Sequence, residues 1–228
     1  LFYAYVSGTL YFGSGPAWSS DTARSAAISR QNGILTNTSS MTLRHGSSSG
    51  NTVSVPAAQG TYLGSFRTIA NGQTEDSFAK RLLFNANNAT MRPVRKIDTT
   101  PVWNYSTAAY QQANATATNQ IAYLDGLGAI PVDVMVQGWV STSTLTLRNI
   151  ATGIGVDSST ANSAQINNVV QATSAYAQGP TSYYSGYPGL GYHEVRWLEY
   201  GGGGDTQTWY GSGGTGILQT GIAGRLVM

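Results

Sequence analysis

Short extended runs, closed by turn-formers at intervals of roughly 8–12 residues, leave this chain with almost no helical periodicity. Ser7-Gly8 divides the aromatic run Leu1–Phe12 into two strands, and Asn32-Gly33 and Asn71-Gly72 mark further turns, because Asn and Gly tolerate positive φ. Between Ile130 and Val140, the alternation of Val132, Val134 and Val136 predicts a half-buried strand, and Leu145, Leu147 and Asn149 repeat the same two-residue period. His193–Tyr200 and Thr206–Tyr210 also read as strands. No internal repeat supports a propeller or solenoid. The expected fold is all-β, an antiparallel β-sandwich or jelly roll with few or no helices. It is expected as one domain over residues 1–228, with 1–55 as an N-terminal arm or small subdomain.

The stretch Thr61–Asn85 is expected to organise the rest. Tyr62–Arg67 reads as a strand, and Thr74-Glu75-Asp76-Ser77 as a polar connector whose side chains bond locally to backbone. Lys80–Asn85 then resumes extended structure. Elsewhere, Asn37–Asn51 reads as a Ser/Thr/Gly-rich loop holding His45, Gly153–Ser158 as a turn, and Tyr176–Tyr192 as a loop. Ala164–Ala172 suits a short helix, although Val169-Val170 also permits a strand.

The charge pattern narrows the function classes. Charged residues make up 10% of the 228, and the net charge is +2. The surface should therefore be neutral and hydroxyl-rich. The one basic cluster, Arg92, Arg95 and Lys96, is too small for the contiguous stripe that a nucleic acid requires, so no nucleic-acid partner is expected. The absence of cysteine removes disulfides and Cys-based metal sites. No run of about 18 apolar residues predicts a membrane span. No basic segment precedes Leu1, so no signal peptide is expected.

Catalytic motifs are weak. Gly211-Ser212-Gly213-Gly214-Thr215-Gly216 fits the spacing of a dinucleotide loop but lacks the strand–loop–helix context and the downstream acid. His45 and His193 are isolated, so neither a metal site nor a cofactor site is expected. Glu75, Asp76, Glu194, Glu199 and Asp205 are the carboxylates available for glycoside cleavage. Glu75 and Asp76 point to opposite faces if extended, as do Glu194 and Glu199. Turn capping, with Arg81 as a partner, is the preferred reading for Glu75 and Asp76. No catalytic residue is assigned.

Aromatic residues offer more. Tyr183, Tyr184, Tyr187 and Tyr192 stand among Gly, Ser and Pro, and Trp209 lies nearby in the sequence. Tyrosine combines rigid apolar area with a polar tip, which suits a glycan or a receptor. The competing reading is packing onto the same domain or a neighbouring subunit. Trp18, Trp103, Trp139 and Trp197 are expected in the core.

Several short patches share an order with a known family. They are Tyr62-Leu63-Gly64, Thr74-Glu75-Asp76-Ser77, Lys80-Arg81, Asn85, Trp103-Asn104-Tyr105 and Asn119-Gln120, then Gly153–Ser158, Gly191–Glu194, Leu198-Glu199, Trp209-Tyr210-Gly211 and Gly221–Gly224. Trp18, Arg24 and Gly33-Ile34-Leu35 extend the pattern upstream. In this order the chain resembles tailed-bacteriophage virion proteins of the tail-fibre, spike and head-fibre kind. It departs after Asn85, where Ala86-Asn87-Asn88-Ala89-Thr90 replaces an aromatic-Asn-Arg-Val run.

The resemblance implies a β-sandwich subunit, homotrimeric, at the surface of the virion and attached to other virion proteins. It implies no shared catalytic residue. The expected role is therefore structural and not enzymatic, with host-surface polysaccharide as a further partner. The alternative is a lectin-like module gripping host glycan through the Tyr176–Tyr192 segment. A capsule depolymerase is the third reading.

Overall fold

The computed structural model describes residues 1–212 and 218–228. Its architecture is an all-β antiparallel sandwich, and among the described residues the one helical piece is the 3₁₀ turn Ala113–Ala115. Eight strands form the body. In chain order they are Met91–Ile97, Gln120–Asp125, Val132–Gln137, Arg148–Val156, Val169–Ala172, Thr181–Gly186, Gly191–Tyr200 and Gly221–Val227. One sheet runs first, eighth, third, sixth; the other runs second, seventh, fourth, fifth. This interleaving of two four-stranded sheets is a jelly roll. Short strands extend both sheets: Ile166–Asn167 joins the edge of the first, and Tyr110–Gln112 pairs with the end of Gly191–Tyr200 in the second. Lys80–Arg81 runs parallel along Gln120–Asp125, the exception to antiparallel pairing among the described residues.

Alternation builds the core. Val132, Val134 and Val136 point inward with Ile222, Leu226 and Val94, and meet Ile121, Tyr123, Val195, Trp197 and Ile154 of the opposite sheet in one continuous apolar cluster. Trp197 and Trp209 are fully buried, and Trp103 meets Trp197 edge-on with ring centroids 5.8 Å apart. At roughly 1.5–3 kcal/mol for each large apolar side chain removed from water, this cluster is the main source of stability.

Arg148–Val156 is buried on both faces, which corrects the turn expected over Gly153–Ser158. Its glycines serve close approach. A Cβ on Gly155 would collide with the Ser158 carbonyl, and one on Gly153 would meet the Tyr110 ring and Asn162. Leu145 and Leu147 precede this strand and are exposed, so their two-residue spacing has no structural counterpart.

Residues 2–62 form a separate seven-stranded sheet in the order 28–31, 34–37, 60–62, 2–6, 9–14, 41–45, 52–55. Its expected turns at Ser7-Gly8 and Asn32-Gly33 close hairpins, with positive φ at all four residues. Met41–His45 is a strand in this sheet, which corrects the loop expected around His45; Tyr11 packs on the His45 ring. Phe2, Ala4, Met41, Leu43 and Val55 face inward. The first hairpin is apolar on its opposite face as well. Tyr3 pairs with Phe12 and Tyr5 with Leu10 across the hairpin, and these four side chains are 41%, 61%, 66% and 66% exposed.

Thr61–Asn85 joins the two units. The single strand expected over Tyr62–Arg67 is divided. Gly60–Tyr62 belongs to the N-terminal sheet, whereas Gly64–Phe66 pairs with Leu83–Asn85. Thr68–Ala70 and Gln73–Thr74 form the hairpin closed by Asn71-Gly72. Asp76 then accepts from Arg81 at 3.0 Å and from Arg92 at 2.6 Å, and Glu75 accepts from Lys80 at 3.0 Å. The side chain of Arg81 is almost fully buried and also donates to the Pro93 carbonyl at 2.7 Å. Asp76 therefore holds a buried guanidinium in place, while Glu75 ties down Lys80.

Ile166–Asn167 and Val169–Ala172 are strands, which resolves the helix-or-strand question over Ala164–Ala172. Among the described residues, no helix is long and apolar enough to cross a membrane.

Candidate functional site

The tyrosine-rich segment is mostly strand, and parity disperses its side chains. Thr181–Gly186 and Gly191–Tyr200 occupy much of what was expected to be a loop. Tyr183 lies on the outer face of the first sheet, between Met135 and Ile166 on the neighbouring strands. Tyr184 points the other way and packs half-buried against the core. Tyr187 stands alone and exposed in the connection between the two strands. Trp209 is a correction: its indole is fully buried and donates to the Tyr105 carbonyl at 3.1 Å, so it cannot meet an external ligand. Trp139 is corrected in the opposite sense, since it is more than a third exposed at the surface.

Tyr192 occupies a different setting. It lines a groove of about 850 Å³ between the N-terminal sheet and the jelly roll. The guanidinium of Arg67 lies 3.8 Å above its ring and is ion-paired with Asp21. Its hydroxyl donates to Glu194 at 2.7 Å, and burial beside that carboxylate pushes the phenol well above its ordinary range. The Tyr192 amide donates to the Asp21 carbonyl at 2.8 Å, tying the two units across the groove floor.

Arg24 forms the other end of this arrangement. Its guanidinium sits between the rings of Trp18 and Tyr62, 4.5 and 4.6 Å from their centroids. It donates to the Tyr62 hydroxyl at 2.7 Å, to Ser65 at 3.2 Å and to the Gly126 carbonyl. All three acceptors are neutral, and the buried Nε of Arg24 has no acceptor. Trp18 is therefore a half-buried groove residue and not part of the core. Phe66 and Arg44 complete the walls, both exposed.

The remaining candidates have structural partners. Glu194 pairs with Arg196, and Asp205 accepts from Arg148 at 2.8 Å. Glu199 is fully buried and accepts from Trp103 Nε1 at 2.6 Å, Gln111 at 2.8 Å and the Asn114 amide at 3.1 Å. Burial pushes its carboxyl up to about 7 against the pull of these donors. His193 is buried, with Nδ1 2.8 Å from Asp157 and Nε2 3.0 Å from the Gly189 carbonyl. Burial opposes its charge, but the Asp157 bond and the carboxylate field prevail and raise its pKa.

Arg92 and Lys96 share one face of their strand and Arg95 takes the other, so the basic cluster is divided. Gly213, Gly214, Thr215 and Gly216 of the dinucleotide-like motif lie outside the described residues. Among the described residues, no three His, Asp or Glu side chains converge as a metal site requires.

Apart from Tyr192, the groove residues were not assigned from the sequence. Trp18 and Arg24 entered only through their order, and Phe66 and Arg67 only as parts of a strand. No local signal unites them with Tyr192, because the fold brings them together from three separate segments. Comparison with known proteins adds no relative: no protein-family model and no curated protein matches the chain.

Proposed function

We infer that this chain is a structural subunit of a bacteriophage virion appendage, a tail fibre, spike or head fibre. In this reading it is a homotrimer at the particle surface, attached to other virion proteins. The observation that carries the assembly component is the outer face of the N-terminal hairpin, where Tyr3, Tyr5, Leu10 and Phe12 form one exposed apolar patch. Such a contiguous exposed apolar patch marks a protein contact. A second copy of the chain would cover it. The virion setting and the trimeric number rest on the ordered patches shared with tailed-phage virion proteins, and the jelly roll is compatible with them.

The lectin-like reading through Tyr183, Tyr184 and Tyr187 has less support, since these side chains diverge. The depolymerase reading has least, since the candidate carboxylates are engaged by Arg, Lys or buried donors.

Sedimentation velocity tests the assembly reading. The wild-type chain should sediment at three times the chain mass. The triple variant Tyr5→Ser, Leu10→Ser, Phe12→Ser should sediment as a folded single chain. A wild-type protein that stays monomeric at micromolar concentration would end this interpretation.

A further inference from the structure

We propose that the groove between the N-terminal sheet and the jelly roll binds an acidic saccharide, a sugar unit carrying a carboxylate. The groove lining contains none of the four residues of the apolar assembly patch.

Size and enclosure come first. At about 850 Å³, the groove falls within the roughly 300–1,000 Å³ range of small-ligand clefts. It is walled by two structural units, a setting in which ligand sites concentrate.

Charge comes second. Arg24, Arg44 and Arg67 line the groove against a single carboxylate, Asp21. Asp21 is taken by Arg67. Among the described residues, neither Arg24 nor Arg44 forms an ion pair, so the groove carries two uncompensated positive charges in a protein of low overall charge. A guanidinium is a planar fork suited to a carboxylate. The Nε of Arg24 is a buried donor without an acceptor, which costs about 1–3 kcal/mol.

The third argument selects the ligand class. Six Ser or Thr side chains line the groove beside Trp18, Phe66 and Tyr192. Aromatic surface next to neutral hydroxyls matches a sugar ring, which offers C–H faces and hydroxyl edges together. A nucleic acid would require a basic stripe extending beyond the groove. An acidic peptide would use the arginines but has no comparable demand for the hydroxyl lining.

The test uses the whole chain and isothermal titration calorimetry. The probes are trigalacturonic acid and sialyllactose as carboxylated sugars, cellotriose and lactose as neutral ones, and hexaglutamate as an acidic peptide, each up to about 5 mM. At least one carboxylated sugar should bind, at least about tenfold more tightly than the neutral sugars and hexaglutamate. Arg44→Gln should weaken that binding about tenfold with an unchanged thermal midpoint, since Arg44 is exposed and makes no ion pair in the fold. Phe66→Ser should weaken it independently. The proposal is overturned if no carboxylated sugar binds, if neutral sugars bind equally, if hexaglutamate binds as well as the sugars, or if Arg44→Gln binds as wild type does.

Discussion

Replacing Glu199 by Gln should change the pH dependence of stability more than the stability itself. Burial moves the Glu199 carboxyl from its ordinary 4.5 up to about 7. Between those values the folded chain keeps a proton that the unfolded chain has released, so stability falls as pH rises across this window. At about 1.4 kcal/mol per pH unit, the loss from this one group is about 3 kcal/mol.

Glutamine removes the titration but disturbs the donors around it. Gln111 and the Asn114 amide would still find a carbonyl oxygen, whereas the Trp103 indole N–H would face an NH₂. That conflict should cost about 1–3 kcal/mol at every pH. The variant should therefore be the weaker protein at pH 4.5 and reach or pass the wild type by pH 8. Urea unfolding at matched protein concentration, repeated at half-unit steps, would measure the gap. A gap that stays constant across pH 4.5–8 would refute the reasoning.

Two further outcomes are expected. Gly155→Ala should cost about 1–3 kcal/mol, because a Cβ there meets the Ser158 carbonyl and the strand must shift; unchanged urea midpoints would contradict this. His193 should titrate above 6.5, since Asp157 and the Gly189 carbonyl both accept from its ring and only the imidazolium can donate to both. Its contribution to stability is then fully present below about pH 6.5 and lost as pH rises through the folded value. An NMR titration of the ring with a midpoint below 6.5 would overturn that assignment.

The legible parts of this fold were those governed by neighbours in sequence. Asn32-Gly33 and Asn71-Gly72 closed hairpins because local backbone preference suffices there. Val132, Val134 and Val136 faced inward because alternation on a half-buried strand leaves no other choice. Gly153 and Gly155 misled because a glycine chosen for close approach carries the same letter as one chosen for a turn. Tyr183 and Tyr184 looked like one platform only while their segment was taken as loop. Once it pairs with Val132–Gln137, adjacent residues must diverge. The groove was hidden for another reason. Its arginines and rings lie on the N-terminal unit, the connector and the roll, and only tertiary structure defines their proximity.

The pairing of Met91–Ile97 with Gly221–Val227 has a consequence for how the protein is made. The opening strand of the roll leaves the ribosome roughly 120 residues ahead of the strand that must lie beside it. At translation rates of about 5–20 residues per second, that interval is on the order of 6–25 s. Throughout it, an unfinished β edge is exposed to every other nascent copy nearby. A cell producing this chain in quantity has reason to shield that edge, and synthesis at lower temperature with chaperone present should increase the soluble yield.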